Sequence, residues 1–336
     1  MAEHTTKNPP RPRVSKPLIT LAALSLSLCA ASWLLLFGFG SGKPAAAASP
    51  WLAVGTHGTE LGQFQAPRGI TALADGSFVV VDRLARVQHF SADGQPLKLW
   101  EMKDHKSGNP KGLCALPDGN LLVCDTHYGR LLKMTVDGTI LKQWGEPGKE
   151  PGQFTRPYSA AVDPVRKAVY IVECGAENDR VQKFSLDGSF IKAWGSFGDG
   201  PGQFQRPIGV AVDSDGNVYV ADSCNHRIQK FDPDGKLLLA FGKMGTVPGE
   251  LRYPYDIACS PGGQVYVAEF NNHRVSVFLR DGTFVRCLGA AGDRDGEFAC
   301  PWSLTLDGRG RLLVSDTGNH RVQILSLKEP QVNARK

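Results

Sequence analysis

Four acid–arginine pairs stand five residues apart in this chain: Asp125 with Arg130, Asp222 with Arg227, Glu269 with Arg274, and Asp316 with Arg321. A carboxylate beside a guanidinium can hold an anion, relay a proton or fasten a turn through charge-assisted hydrogen bonds. His226, His273 and His320 each precede one of these arginines and are candidate bases or metal ligands. Recurrence decides between these uses. A catalytic centre is asymmetric, whereas a pair repeated along the chain is what a fold uses to tie down the same turn many times. The four pairs and the three histidines are therefore read as structural.

The elements that carry them repeat too. A phrase of roughly 47 residues recurs six times between Gly55 and Leu325, and its clearest copy runs from Pro201 to Gly235. Its arginine falls at Arg86, Arg130, Arg180, Arg227, Arg274 and Arg321, in steps of 44, 50, 47, 47 and 47. Inside the clearest copy the apolar period is two. Val210 and Val212 alternate with Ala211, Asp213-Ser214-Asp215-Gly216 turns the chain, and Val218 and Val220 alternate with Tyr219. A third strand begins at Arg227, and Asp234-Gly235 turns into a fourth over Leu237 to Phe241. Four antiparallel strands per repeat make one blade, so the fold class is all-β, a six-bladed β-propeller. The sixth copy lacks an outer strand, and Trp51 to Gly55 has the pattern of one, so this N-terminal strand is expected to close the ring.

On these residues the chain resembles the NHL-repeat family over Trp51 to Leu325. The family's triplet stands as Asn225-His226-Arg227, Asn272-His273-Arg274 and Asn319-His320-Arg321, with weaker copies at Leu84-Ala85-Arg86, Tyr128-Gly129-Arg130 and Asn178-Asp179-Arg180. The resemblance implies the propeller fold but not one function, since the family includes lyases, RNA-binding modules and protein-interaction platforms. Its amidating lyases place zinc-binding histidines at the position just after the landmark proline. That position here holds Arg68, Lys111, Tyr158, Ile208, Tyr255 and Trp302, and Ser223 stands where those lyases carry a tyrosine. The resemblance therefore fails at the zinc chemistry. No metal, no cofactor and no catalytic residue is assigned.

The post-proline residues differ from blade to blade and open the innermost strands at one mouth of the channel. With the residue that follows Tyr255, they give a candidate ligand- or partner-binding set: Arg68, Lys111, Tyr158, Tyr255, Asp256 and Trp302. Two cations facing aromatics and a carboxylate could take an anionic or aromatic group. Aromatics that merely plug the channel are the competing reading. Arg68, Lys111, Tyr255 and Trp302 are expected to be exposed. The Asp-rich turns at Asp213 and Asp293 lack the glutamate that an EF-hand loop places at position 12, and read as hairpin and link chemistry rather than calcium sites. Eight cysteines contain no CxxC pair; Cys114 and Cys259 read as core residues. Cys114 with Cys124 is the best disulfide candidate if the domain is exported, unless a one-residue slip in register puts them on opposite faces.

Residues 18–40 are 23 residues without a charge, preceded by Lys7, Arg11, Arg13 and Lys16 and followed only by Lys43. This pattern predicts a cytoplasmic tail over 1–17, a transmembrane anchor over 18–40 and a linker over 41–50. A propeller over 51–327 then lies on the extracytoplasmic side, with a flexible tail over 328–336. Cleavage near Ala48, giving a secreted or periplasmic domain, is the alternative. Most of the formal charge of +5 lies ahead of residue 50, which leaves the propeller near neutral and argues against a nucleic-acid partner. The expected function is a membrane-anchored scaffold that binds a protein, peptide, glycan or other ligand. The alternative is a hydrolase or lyase acting through Asp256, Tyr255 and Arg68.

Overall fold

The computed structural model describes residues 49–103, 108–175 and 178–327. The apolar stretch 18–40, the cleavage region at Ala48 and the tail 328–336 lie outside the described residues. Among the described residues no helix is long and apolar enough to cross a membrane.

Short apolar runs separated by turn residues form six four-stranded antiparallel sheets. In blade four, Pro207–Val212, Val218–Asp222, Arg227–Phe231 and Leu237–Phe241 run in order from the axis to the rim. The turn before the outer strand needs a glycine: Gly235 has φ 83°, and a Cβ there would come within 2.6 Å of the Trp194 ring of blade three. Second strands such as Phe78–Asp82 and Val218–Asp222 are buried at every residue, because both of their faces are covered by neighbouring blades. The core accordingly lies between blades. One cluster joins Phe78 and Val80 of blade one to Leu313 and Val322 of blade six. Phe64, Phe154, Phe204 and Phe298, each closing a link into the next blade, are fully buried, and Leu251 takes the same place before blade five.

Ring closure follows the expected route. Trp51–Val54 pairs antiparallel with the third strand of blade six, Trp51 opposite Leu325 and Val54 opposite Val322. The same seam is fastened on the inside, where Thr317 Oγ1 donates to the Pro67 carbonyl at 2.6 Å.

Turn pairs occur in all six blades. Arg130–Asp125, Arg227–Asp222 and Arg274–Glu269 lie at 2.7 Å, and Arg321–Asp316 at 2.8 Å, with every one of these carboxylates buried. Arg86 pairs with Asp82 across four residues, and Arg180 with Glu173 across seven at 2.7 Å. The guanidinium groups of Arg86, Arg180, Arg227, Arg274 and Arg321 also reach the preceding link: Arg227 donates to the Gly200 and Gln203 carbonyls at 2.8 and 2.9 Å. His226, His273 and His320 have φ of 54°, 53° and 57°. Each Nδ1 accepts a backbone amide of the following blade, from Tyr253, Cys300 and Ala66 at 3.0, 2.9 and 3.0 Å. These histidines join blades as well as shaping turns.

The candidate Cys114–Cys124 bridge does not form, and both thiols are free. Cys124 lies opposite Gly112 and Cys114 opposite Leu122. The two cysteines share a face but stand on a diagonal, where Cα atoms are about 7–8 Å apart, beyond the usual reach of a disulfide.

Candidate functional site at the channel mouth

Five inner strands begin at the mouth with their landmark proline and that of blade two, Gly112–Ala115, begins two residues after Pro110, so the post-proline side chains converge there. Close approach of the strands is what draws them together. A Cβ on Gly209 would lie 2.6 Å from the Asp256 Cα, and one on Gly112 would lie 2.3 Å from the Tyr158 carbonyl. Lys111, Tyr158, Ile208, Tyr255 and Trp302 surround an axial space of only about 20 Å3, room for one water.

The aromatics are more enclosed than expected. Tyr158 and Tyr255 are 8 % and 6 % exposed, and both belong to the core between blades three, four and five, so the expectation that Tyr255 stands free on the surface is corrected. Arg68, Lys111 and Trp302 are half-buried rather than exposed. The cause is lateral packing: Tyr255 stacks on Phe270 with centroids 4.4 Å apart and meets Trp302 edge-on at 4.9 Å. Cations cap this aromatic plug. Arg68 lies 5.1 Å and Lys111 Nζ 5.4 Å from the Trp302 centroid, Lys111 also lies 5.8 Å from that of Tyr158, and Arg206 lies 5.7 Å from that of Tyr255.

Two cations of this group, Arg156 and Arg206, were not singled out in the sequence. Both stand just before the landmark proline, where Arg206 has φ 53° as do its counterparts Ala66, Tyr253 and Cys300 within a degree or so. Among the described residues, none of Arg68, Lys111, Arg156 and Arg206 forms an ion pair with a carboxylate. Burial, with Arg68, Arg206 and Arg156 adding to it, pushes the Lys111 ammonium down to about 8. Burial also raises the Tyr158 and Tyr255 hydroxyls. Asp256 sits just inside the ring, where burial pushes its carboxyl up to about 6. Its Oδ1 accepts the Ile257 amide at 3.0 Å, while Oδ2 accepts Ser303 Oγ at 2.5 Å and the Leu304 amide at 3.1 Å. This carboxyl thereby joins blade five to blade six.

Lys111 gives a pH-dependent expectation. Its folded pKa lies below its unfolded value, so between about pH 8 and 10 the unfolded chain binds more protons and stability rises with pH through this group. Lys111→Met should therefore raise the melting temperature at pH 7 and remove part of that rise. A variant that melts lower at pH 7, or keeps the full slope, would show that the ammonium is not held at a cost.

The NHL-repeat pattern matches residues 204–231, 251–278 and 298–325, which run from the end of the link through the first three strands of blades four, five and six. The chain is an NHL-repeat propeller. No curated protein sequence gives a significant match. Among solved structures the NHL propeller resembles a structural-genomics protein of unknown function from Bacteroides thetaiotaomicron, at 16 % identity and TM-score 0.65 over 82 % of this chain and 76 % of that one. It also resembles a gluconolactonase from Xanthomonas campestris, at 19 % identity and TM-score 0.60 over 79 % and 87 %. A streptogramin B lyase matches at 14 % identity and TM-score 0.57 over 82 % and 97 %. At these identities the likeness establishes the fold alone. Among the described residues of the NHL propeller, no group of three or more His, Cys, Asp or Glu side chains is placed to hold a metal ion.

Proposed function

We propose that this NHL propeller is a membrane-anchored binding module, held by residues 18–40 with its propeller on the extracytoplasmic side, and that its channel mouth takes an anionic group of a protein, peptide, glycan or smaller ligand. The observation that carries the reading is the set of four mouth cations without a carboxylate partner. Such a group is costly to assemble on its own and is relieved by an incoming anion. Hydrolase or lyase chemistry through Asp256, Tyr255 and Arg68 has less support, because the Asp256 oxygens already accept three hydrogen bonds within the scaffold. Tyr255 is likewise committed to the aromatic plug.

The test is photocrosslinking in membranes with a reactive residue in place of Arg83, which is exposed beside Arg68. A captured partner should disappear in the Arg68→Ala, Lys111→Ala double variant, and its yield should fall at high salt. Capture that is indifferent to both changes would sink the reading.

A further inference from the structure

The space at the mouth lies off the axis. A cleft of about 460 Å3 opens between blades three and four, lined by Arg156, Tyr158, Asp179, Phe197, Arg206 and Cys224 among others. That volume suits a small organic ligand, for which sites run from about 300 to 1,000 Å3. The axial space at the mouth itself, at about 20 Å3, does not, and the channel widens to about 310 Å3 only further in, between the six inner strands.

Charge and shape then narrow the ligand. Arg156 and Arg206 are exposed and reach the cleft from neighbouring blades, and the Arg206 guanidinium shares it with Tyr158 and Cys224. Lys111 and Arg68 lie close enough to act on the same region. Two carboxylates line the same spaces as these cations, and among the described residues neither forms an ion pair with them. Asp179 accepts the Gly175 and Arg206 amides at 3.0 and 3.3 Å, and Asp256 is held by Ser303 and Leu304. With Arg83 also beside Arg68, more than one positive charge is left over, which one monoanion cannot neutralise. Phe197 is 51 % exposed on the cleft wall and offers an apolar face that none of these charges uses.

We propose that this cleft binds a free organic dianion, a phosphomonoester with an aromatic or apolar body, its phosphate on Arg156 and Arg206 and its body against Phe197 and Tyr158. Paired guanidinium groups match the phosphate oxygens in number and geometry. The inference rests on the reading that the mouth cations receive an outside anion, and it adds the place and class of the ligand.

Titration calorimetry on the full chain in detergent at pH 7 tests it with phenyl phosphate, benzoate and inorganic phosphate. Phenyl phosphate should bind saturably, and benzoate and inorganic phosphate at least tenfold more weakly. Arg156→Gln and Arg206→Gln should each weaken phenyl phosphate binding about tenfold without moving the melting temperature. Arg156 is the safer of the two, being exposed with an ordinary backbone conformation. Equal affinity for benzoate, or unchanged binding in Arg156→Gln, overturns the dianion cleft. Loss on Arg68→Ala with none in the cleft variants overturns it too, while leaving the mouth reading intact. Failure of all three ligands to bind overturns the cleft, and crosslinking at position 83 then judges the mouth by itself.

Discussion

Removing Trp51–Val54 from the chain should abolish cooperative unfolding. Those four residues supply the outer ladder of blade six, and Val54 is buried in the cluster that joins blade six to blade one. Each ladder hydrogen bond contributes about 1 kcal/mol net, and burying a valine side chain adds about 1.5–3 kcal/mol. Their sum is comparable with the whole net stability of a typical domain, about 5–15 kcal/mol. The strand Arg321–Ser326 would also be left as an open edge able to pair with another chain. Circular dichroism should show a broad, early transition, and size-exclusion chromatography should show association. The milder Val54→Asp, which buries a charge in the same cluster without deleting backbone, should lower the midpoint yet keep one transition. A sharp, unshifted melt of the deletion variant would mean that the ring does not depend on its closing strand.

Arg274→Ala should be a strongly damaging single change among the turn pairs. Arg274 is 9 % exposed and Glu269 is fully buried, so the substitution strands a carboxylate away from water. Breaking one side of a buried ion pair costs about 3–5 kcal/mol. Glu269 would keep the Arg252 amide at 3.0 Å, Asn272 at 2.6 Å and Ser276 at 2.5 Å, which sets the loss toward the lower end. The carbonyls of Val247 and Glu250 would also lose their donor, loosening the link into blade five. Thermal melts should fall by roughly 10 °C. Arg274→Lys should recover only part of this, because an ammonium cannot reach the carboxylate and both carbonyls in one plane. An undisturbed melt for Arg274→Ala would remove the pairs from the list of what holds the blades.

The fold was legible because the two signals that define a blade are local. A period of two over Val218 to Asp222 and turn chemistry at Asp234-Gly235 need no knowledge of the rest of the chain, and strand limits in blade four agree with them. What could not be read depends on geometry between repeats. The pairs in blades one and three were missed because their turns are shorter and longer, so that Asp82–Arg86 and Glu173–Arg180 escape a search at five residues. Burial of Tyr158 and Tyr255 arises from neighbouring inner strands leaning together, and no single repeat contains that contact. Arg156 and Arg206 were hidden by register: attention to the residue after the proline passes over the one before it. Near-neutral net charge concealed the cluster as well, since a sum over the whole propeller says nothing about where four cations meet.

The closing strand has one more consequence, which concerns how the disc is mounted. Trp51 and Leu325 face each other across the seam, at the end where the hairpins lie rather than where the landmark prolines lie. Residues 49 and 327 therefore leave the ring at nearly the same point, on the side away from the mouth. Both points of attachment thus lie on the face of the ring opposite the four cations. Tension applied between the two ends would open the seam from Trp51 and Leu325 inward, one pair after another, as a zipper does. The same contact that completes the ring is thus the place where a pull on the ends would first be felt.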